Sequence, residues 1–273
     1  MEVRAVATLK ENINRAISDF GSIKSAIESR NIEVGNAKTS EYADMIIQIK
    51  DDQDYFRGML EDSATKIVIP DGTSKIRTNA FIQMTTLNSV VIPGSVVTIN
   101  EYAFSSCTNL EEVEFNEGLE TIGNSAFHSC NKIAKIVLPV SVKSIGVSAF
   151  RGCKLISELI IPNGTTTIGS SAFYGLLALT HLEIPNTITQ IGSDSFYSCS
   201  NVTELVIEDG FNATNLNLSY FSLITADDIV AVMNALYDRT GRESYKLILG
   251  NTHLEKLTDE QKAIATDKNW ILS

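Results

Sequence analysis

The sequence repeats itself every 23 residues, and this period constrains the fold more than any other feature of the chain. Six phenylalanines keep the period without a slip: Phe81, Phe104, Phe127, Phe150, Phe173 and Phe196. Four cysteines follow the same spacing: Cys107, Cys130, Cys153 and Cys199. Periods of about 20–50 residues are typical of proteins that stack one structural unit on the next. The spacing therefore predicts a solenoid.

Each repeat carries the signals of one short strand and one turn. Val90 and Ile92 alternate with other residues and the pattern stops at Pro93, which predicts a β-strand. The stretch Ala-Phe-x-x-Cys-x-x-Leu has apolar residues at a spacing of three, which predicts one or two turns of α- or 3₁₀-helix. Ordering the backbone of one such unit costs more free energy than burying its own apolar side chains returns. Neighbouring repeats must therefore pair their strands in a parallel sheet.

The full repeat reads Leu/Val-x-Ile-Pro, a turn, and then x-Ile-Gly-x-x-Ala-Phe-x-x-Cys-x-x-Leu. Over about residues 65–208 it resembles the BspA-like, or treponemal-type, leucine-rich repeat family of bacteria. Departures are Met84 and Leu176 in the cysteine position and Asn116 and Glu208 in the proline position. The resemblance implies an α/β fold, a right-handed leucine-rich-repeat solenoid used for binding, often in surface adhesins. It does not imply catalysis.

The regions outside the repeats predict a different kind of structure at each end. We divide the chain into four segments: a helical N-terminal module (1–50), a linker (51–64), the solenoid (65–210) and an α/β C-terminal cap (211–273). In the cap, capping boxes at Thr225 and Thr258 predict two helices, the first of which ends by Gly241. Strands are predicted at 245–249 and 270–272. Such a segment covers the exposed last repeat.

The N-terminal module has apolar residues at heptad spacing: Val6, Leu9, Ile13, Ala16, Phe20, Ile23 and Ile27. One interpretation is a coiled coil that assembles a homo-oligomer. The other is two short helices, broken at Gly21, that fold onto the first repeat. The segments 23–27 and 42–46 also resemble an N-terminal module that is common in phage tail-appendage and prophage proteins.

Charge and hydropathy narrow the classes of partner. The 273 residues include 22 basic and 33 acidic side chains, a formal net charge of −11. Nucleic acids and anionic membranes are bound by clustered Lys and Arg, so neither is an expected partner. No run of about 18 apolar residues predicts a membrane span, and residues 1–20 lack the pattern of a signal peptide. We expect a protein or glycan partner on a host or cell surface, with the chain on a cell surface or a phage particle.

The polar residues do not form a pattern that predicts chemistry. His128, His181 and His253 lack the spacing of a zinc site, and no phosphate-binding or nucleophile motif occurs. The glutamates between 111 and 120 are expected to form a solvated face, and the cysteines are expected to be buried free thiols. We therefore expect no enzyme activity and no cofactor.

The outward-facing strand positions form two columns, one charged and one mostly apolar. An apolar strip rimmed by charge is typical of a binding surface. The predicted binding residues are Val91, Glu112, Glu114, Lys135, Val137, Glu158, Ile160, His181 and Glu183. The alternative is that β-branched residues merely favour strands and that a terminal helix covers part of the strip.

Two functions are compatible with these features. The first is a BspA-like adhesion or ligand-binding protein at the bacterial surface that uses the sheet face. The second is a phage or prophage tail-appendage protein that is oligomeric through its N-terminal helix.

Light scattering after size exclusion distinguishes the two interpretations of the N-terminal module. If the heptads assemble the chain, the full chain is a trimer and a chain without residues 1–50 is a monomer. If both are monomers, the N-terminal helices serve only as a cap and the adhesion function is favoured.

Overall fold

A computed structural model describes residues 65–69, 71–214 and 216–273. The predicted N-terminal module, its heptad residues and most of the predicted linker lie outside the described residues. In chain order the strands are β1 (Lys66–Val68), β2 (Lys75–Ile76), β3 (Ser89–Ile92), β4 (Thr98–Ile99), β5 (Glu112–Phe115), β6 (Thr121–Ile122), β7 (Ser144–Ile145), β8 (Glu158–Ile160), β9 (Thr167–Ile168), β10 (His181–Ile184), β11 (Gln190–Ile191), β12 (Glu204–Ile207), β13 (Leu216–Asn217), β14 (Tyr245–Ile248) and β15 (Trp270–Leu272). The helices are α1 (Ala226–Ala235), α2 (Asn251–Leu254) and α3 (Asp259–Thr266).

The repeats stack as parallel strands, and the predicted solenoid is confirmed. Partners in the ladders are 23 residues apart, as in Lys66 with Ser89 and Thr121 with Ser144. The longer strands form two sheets, β1-β3-β5 and β8-β10-β12. The two-residue strands form a further sheet in the order β2-β4-β6-β7-β9-β11. The sheet of two-residue strands was not predicted, because two residues are too few to show an alternating pattern.

The core is built from columns of identical side chains. The six phenylalanine rings of the repeat stack face to face, with centroids 5.0 to 5.7 Å apart and planes within 15° of parallel. The backbone beside this column is also joined from repeat to repeat, since the N–H of Phe104 donates to the carbonyl of Ala126 over 2.7 Å. Each repeat is therefore held by the repeat before it and the repeat after it.

The stretch around each phenylalanine forms a series of tight turns instead of the predicted helical turns. The N–H of Cys130 donates to the carbonyl of Phe127 over 3.2 Å, as in one helical turn. Ser125 and Ser129, on either side, have φ values of 53° and 59°. A helix needs consecutive right-handed residues, so these left-handed residues end each turn before it can continue.

The cysteines are buried free thiols, as predicted. Each thiol donates a hydrogen bond to a carbonyl of the preceding repeat, for example Cys153 to Phe127 over 3.2 Å. Burial raises the pKa of Cys153 to about 12. The cysteine column therefore packs as small apolar side chains at neutral pH.

The sheet of longer strands is interrupted at one repeat, which corrects a prediction. Residues 134–138 form no strand, although the repeat predicts one around Lys135 and Val137. The preceding strand ends in Phe115, where the other repeats have Ile or Leu. The Phe115 ring packs edge-on against Phe127, with centroids 5.6 Å apart, and stays partly exposed. We attribute the gap between β5 and β8 to this larger side chain.

The C-terminal cap follows its predicted capping boxes. Both boxes are complete, with Thr225 paired to Asp228 and Thr258 paired to Gln261. Helix α1 ends at Ala235 and not at Gly241, because the chain then turns extended and the Nζ of Lys268 donates to the last carbonyls of the helix. Of the helices that the structure describes, none has the length and apolar character needed to cross a bilayer.

Substitution of a glycine between repeats tests how closely the repeats approach. A Cβ added at Gly146 would lie 2.6 Å from the carbonyl carbon of Gly123 in the preceding repeat. Because the carbonyl carbon of Gly123 belongs to the backbone and cannot easily move away, we expect Gly146→Ala to lower the free energy of unfolding by about 1–3 kcal/mol or more. Chemical denaturation measures the change. The control Ser200→Ala, at an exposed position, changes it by less than about 0.5 kcal/mol. Equal effects of the two variants would contradict a tight contact.

Candidate functional site

The longer strands present one side to the core and the other to solvent. In β8, Leu159 is buried between the exposed Glu158 and Ile160. The same alternation places the predicted binding residues on one surface, which we call the strand face: the outward side chains of β1, β3, β5, β8, β10, β12 and segment 134–138. Ladder partners confirm the columns, as Val91 lies beside Glu114 and Ile160 beside Glu183.

The gap in the sheet divides the predicted binding residues into two groups. Val91, Glu112 and Glu114 lie on β3 and β5, on one side of segment 134–138. The other six lie on that segment or beyond it: Lys135, Val137, Glu158, Ile160, His181 and Glu183.

Five residues of the second group, all except His181, line a groove of about 440 Å³. Four apolar side chains in its lining are exposed, Val137 at 65%, Val140 at 68%, Ile160 at 48% and Val206 at 43%. Exposure of this extent is unusual for neighbouring β-branched residues on a free surface. The groove is therefore an apolar surface that is open to a partner.

The rim of the groove is mainly acidic. Glu158, Glu183 and Glu208 line it, against one basic residue, Lys135. The carboxylate of Glu208 is held in place, since it accepts hydrogen bonds from the side-chain amide of Asn163 over 3.1 Å and from the backbone N–H of Asn186 over 3.2 Å. The groove thus has an apolar centre and a rim of hydrogen-bond acceptors, as protein interfaces commonly do.

Next to the groove, His181 lies between two carboxylates. Its Nδ1 is 2.8 Å from Oε2 of Glu204 and its Nε2 is 2.9 Å from Oε1 of Glu183. The hydrogen bond to Glu204 is the main cause that raises the pKa of His181 above 6.5; partial burial opposes it and the Glu183 hydrogen bond adds to it. At His181, therefore, a histidine that can carry positive charge lies between two carboxylates. Lys135 lies in the segment without a strand and forms no ion pair with Glu158 of β8.

The lining residues that were absent from the predicted site include Val140, Val206 and Glu208. Val206 occupies the same column as Val137 and Ile160, one repeat beyond Glu183, so the column itself was a sufficient signal. Val140 and Glu208 lie in the turns that follow the strand positions, where the alternation of a strand gives no direction for the side chain.

The three histidines should differ in pKa when they are titrated by NMR. We expect His181 to titrate above pH 6.5, whereas burial lowers the pKa of His128 and His253 below that value, with smaller effects of Arg151 and Lys256. Since folding raises the pKa of His181, its stabilising contribution is complete below about pH 6.5 and is lost as the pH rises through the folded pKa.

The substitution Glu204→Gln removes the carboxylate that contributes most to the raised pKa of His181, so this pKa should fall. The control Glu112→Gln occupies the same column three or more repeats away and should leave it unchanged. A pKa of His181 that does not respond to Glu204→Gln would contradict the assigned contact.

Comparisons with known proteins identify the repeat. A family model described as the BspA type leucine-rich repeat region matches residues 52–157 and 120–230, with six copies. A leucine-rich repeat protein of T. pallidum is 25% identical, with a TM-score of 0.54, over 77% of this chain and 86% of that chain. One from Bacteroides ovatus is 25% identical, with a TM-score of 0.49, over 66% of this chain and 51% of that chain.

A search of curated proteins found no match. The leucine-rich repeat is typically a non-catalytic fold for protein interaction. Because the family model spans more than half of the residues, the chain belongs to the BspA-type leucine-rich repeat family.

Proposed function

We propose that this protein is a non-enzymatic bacterial surface protein that acts in adhesion or ligand binding and recognises its partner through the strand face. The observation that carries the proposal is the groove whose apolar lining, Val137, Ile160 and Val206, is open to solvent. Membership of the BspA-type family supports a binding role, since its fold is typically one of protein interaction.

The chemistry of the groove favours a protein partner with an apolar side chain flanked by basic residues. The apolar floor would bury such a side chain, which is the usual source of affinity at the centre of an interface. The carboxylates of Glu158, Glu183 and Glu208 would face Lys or Arg side chains of the partner. Such complementarity mainly increases the rate and the specificity of association.

Binding of the labelled full chain to cultured epithelial cells tests this function. We expect the variant Val137→Thr/Ile160→Thr/Val206→Thr to bind at least about tenfold more weakly, because hydroxyl groups replace buried methyl groups at the centre of the interface. Raising the salt concentration should weaken the wild-type interaction, because the rim of the groove is charged.

The matched control is Val97→Thr/Val147→Thr/Ile271→Thr, three residues of the same types with similar exposure outside the groove. It should bind as the wild type does. Circular dichroism verifies that both variants fold. If the groove variant is folded and binds as well as the control variant, the strand face is not the binding surface.

The second candidate, a phage or prophage tail-appendage protein, depends on the heptads between Val6 and Ile27, which lie outside the described residues. A trimeric full chain and a monomeric chain without residues 1–50 would favour it over adhesion by a monomer.

A further inference from the structure

A row of aromatic and basic side chains follows the phenylalanine column by one residue in successive repeats. It consists of His128, Arg151, Tyr174, Tyr197 and Tyr220, which we call the tyrosine edge. The guanidinium carbon of Arg151 lies 4.4 Å from the centre of the Tyr174 ring. The rings of Tyr174 and Tyr197 stack with centroids 5.0 Å apart, and Tyr197 meets Tyr220 edge-on at 5.2 Å. Tyr197 is 43% exposed.

A groove of about 220 Å³ lies along this edge and is basic, unlike the chain as a whole. Its polar lining includes His128, Arg151, Lys154 and the serines 129 and 198. Among the described residues that line it, none is acidic. Although the chain has a net charge of −11, this groove favours a negatively charged ligand.

The two permanent cations of the groove are available to a ligand. Within the described part of the chain, Arg151 and Lys154 form no ion pair with a carboxylate. Arg151 instead lies over the Tyr174 ring, which holds the guanidinium in a fixed place. A planar guanidinium presents paired N–H donors that match a carboxylate or sulfate group.

The backbone of the tyrosine edge is already hydrogen-bonded. The N–H of Gly152 donates to the backbone carbonyl of Tyr174, and the N–H of Gly175 donates to the backbone carbonyl of Tyr197, both over 2.8 Å. An extended peptide that binds by adding a strand needs free backbone groups, and these are occupied. A ligand here is contacted by side chains, through hydroxyl groups, aromatic rings and cations. This set suits a charged sugar chain better than a peptide.

We propose that the tyrosine edge binds an acidic saccharide, a sulfated or carboxylated sugar chain, at a site separate from the strand face. Arg151 and Lys154 hold the anionic group, and the exposed Tyr197 contacts a sugar ring and donates to a sugar hydroxyl. No residue lines both grooves, so the two sites can be occupied independently.

Calorimetric titration of the full chain with a heparin-derived oligosaccharide of defined length tests the site. We expect binding that weakens as salt is added. The variant Arg151→Gln/Lys154→Gln should reduce the affinity at least about tenfold, since two charge-assisted contacts are lost. The control Lys75→Gln/Lys143→Gln removes the same charge elsewhere on the solenoid and should change the affinity less than about twofold.

A second pair of variants tests the aromatic contribution. Tyr197→Leu should weaken binding several-fold, whereas Tyr102→Leu, at a similarly exposed tyrosine outside the edge, should not. Thermal melts verify that each variant folds.

Three outcomes would overturn the proposal: no binding of the oligosaccharide, equal loss in the basic variant and its control, or equally tight binding of a poly-glutamate peptide. Displacement of the oligosaccharide by an equal concentration of inorganic sulfate would also overturn it, because the site would then hold a free anion and not a sugar chain. Failure of a neutral oligosaccharide to bind supports it.

Discussion

The close approach of one repeat to the next is the constraint on which the rest of the structure depends. At Gly146 the backbones of two repeats lie so near that a Cβ would meet the carbonyl carbon of Gly123. The phenylalanine rings of neighbouring repeats stack on one another, and hydrogen bonds join the backbone N–H groups of one repeat to carbonyls of the next. One repeat has too small a core to fold alone, so stability lies in the contacts between repeats. The same contacts place every surface residue 23 positions from its neighbour in a column.

Where the sequence departs from the repeat, the surface of the solenoid changes locally. Phe115 replaces a smaller residue, and the sheet is interrupted beside it. The strand face beyond the gap has an apolar groove with an acidic rim, whereas the tyrosine edge has a basic groove. Two surfaces of opposite charge on one solenoid suit recognition of two chemically different partners, a basic protein surface and an acidic saccharide. Neither surface uses the cysteines, which lie in the core as buried free thiols. Burial raises the pKa of Cys153.

Much of this structure could be predicted from the sequence because the period averages over six copies. The strands, the stacked core, the free thiols and the capping boxes at Thr225 and Thr258 each follow from a repeated or locally specified pattern. The two-residue strands could not be predicted, since their alternation is too short to detect. The gap at 134–138 follows the strand that ends in Phe115, whose ring packs against Phe127. A contact between repeats of this kind is a tertiary effect. The groove residues Val140 and Glu208 lie in turns, where side-chain direction depends on the backbone of neighbouring repeats.

A double-mutant cycle on the phenylalanine column tests most directly whether contacts between adjacent repeats carry the stability. Phe127→Leu and Phe150→Leu change neighbouring rings whose centroids are 5.3 Å apart. We expect a coupling energy of about 0.5–1.5 kcal/mol for this pair in chemical denaturation. For Phe81→Leu and Phe173→Leu, which are not in contact, the effects should add within about 0.5 kcal/mol. If the effects of the neighbouring pair are additive while both single variants are destabilised, contacts between adjacent repeats do not carry the stability.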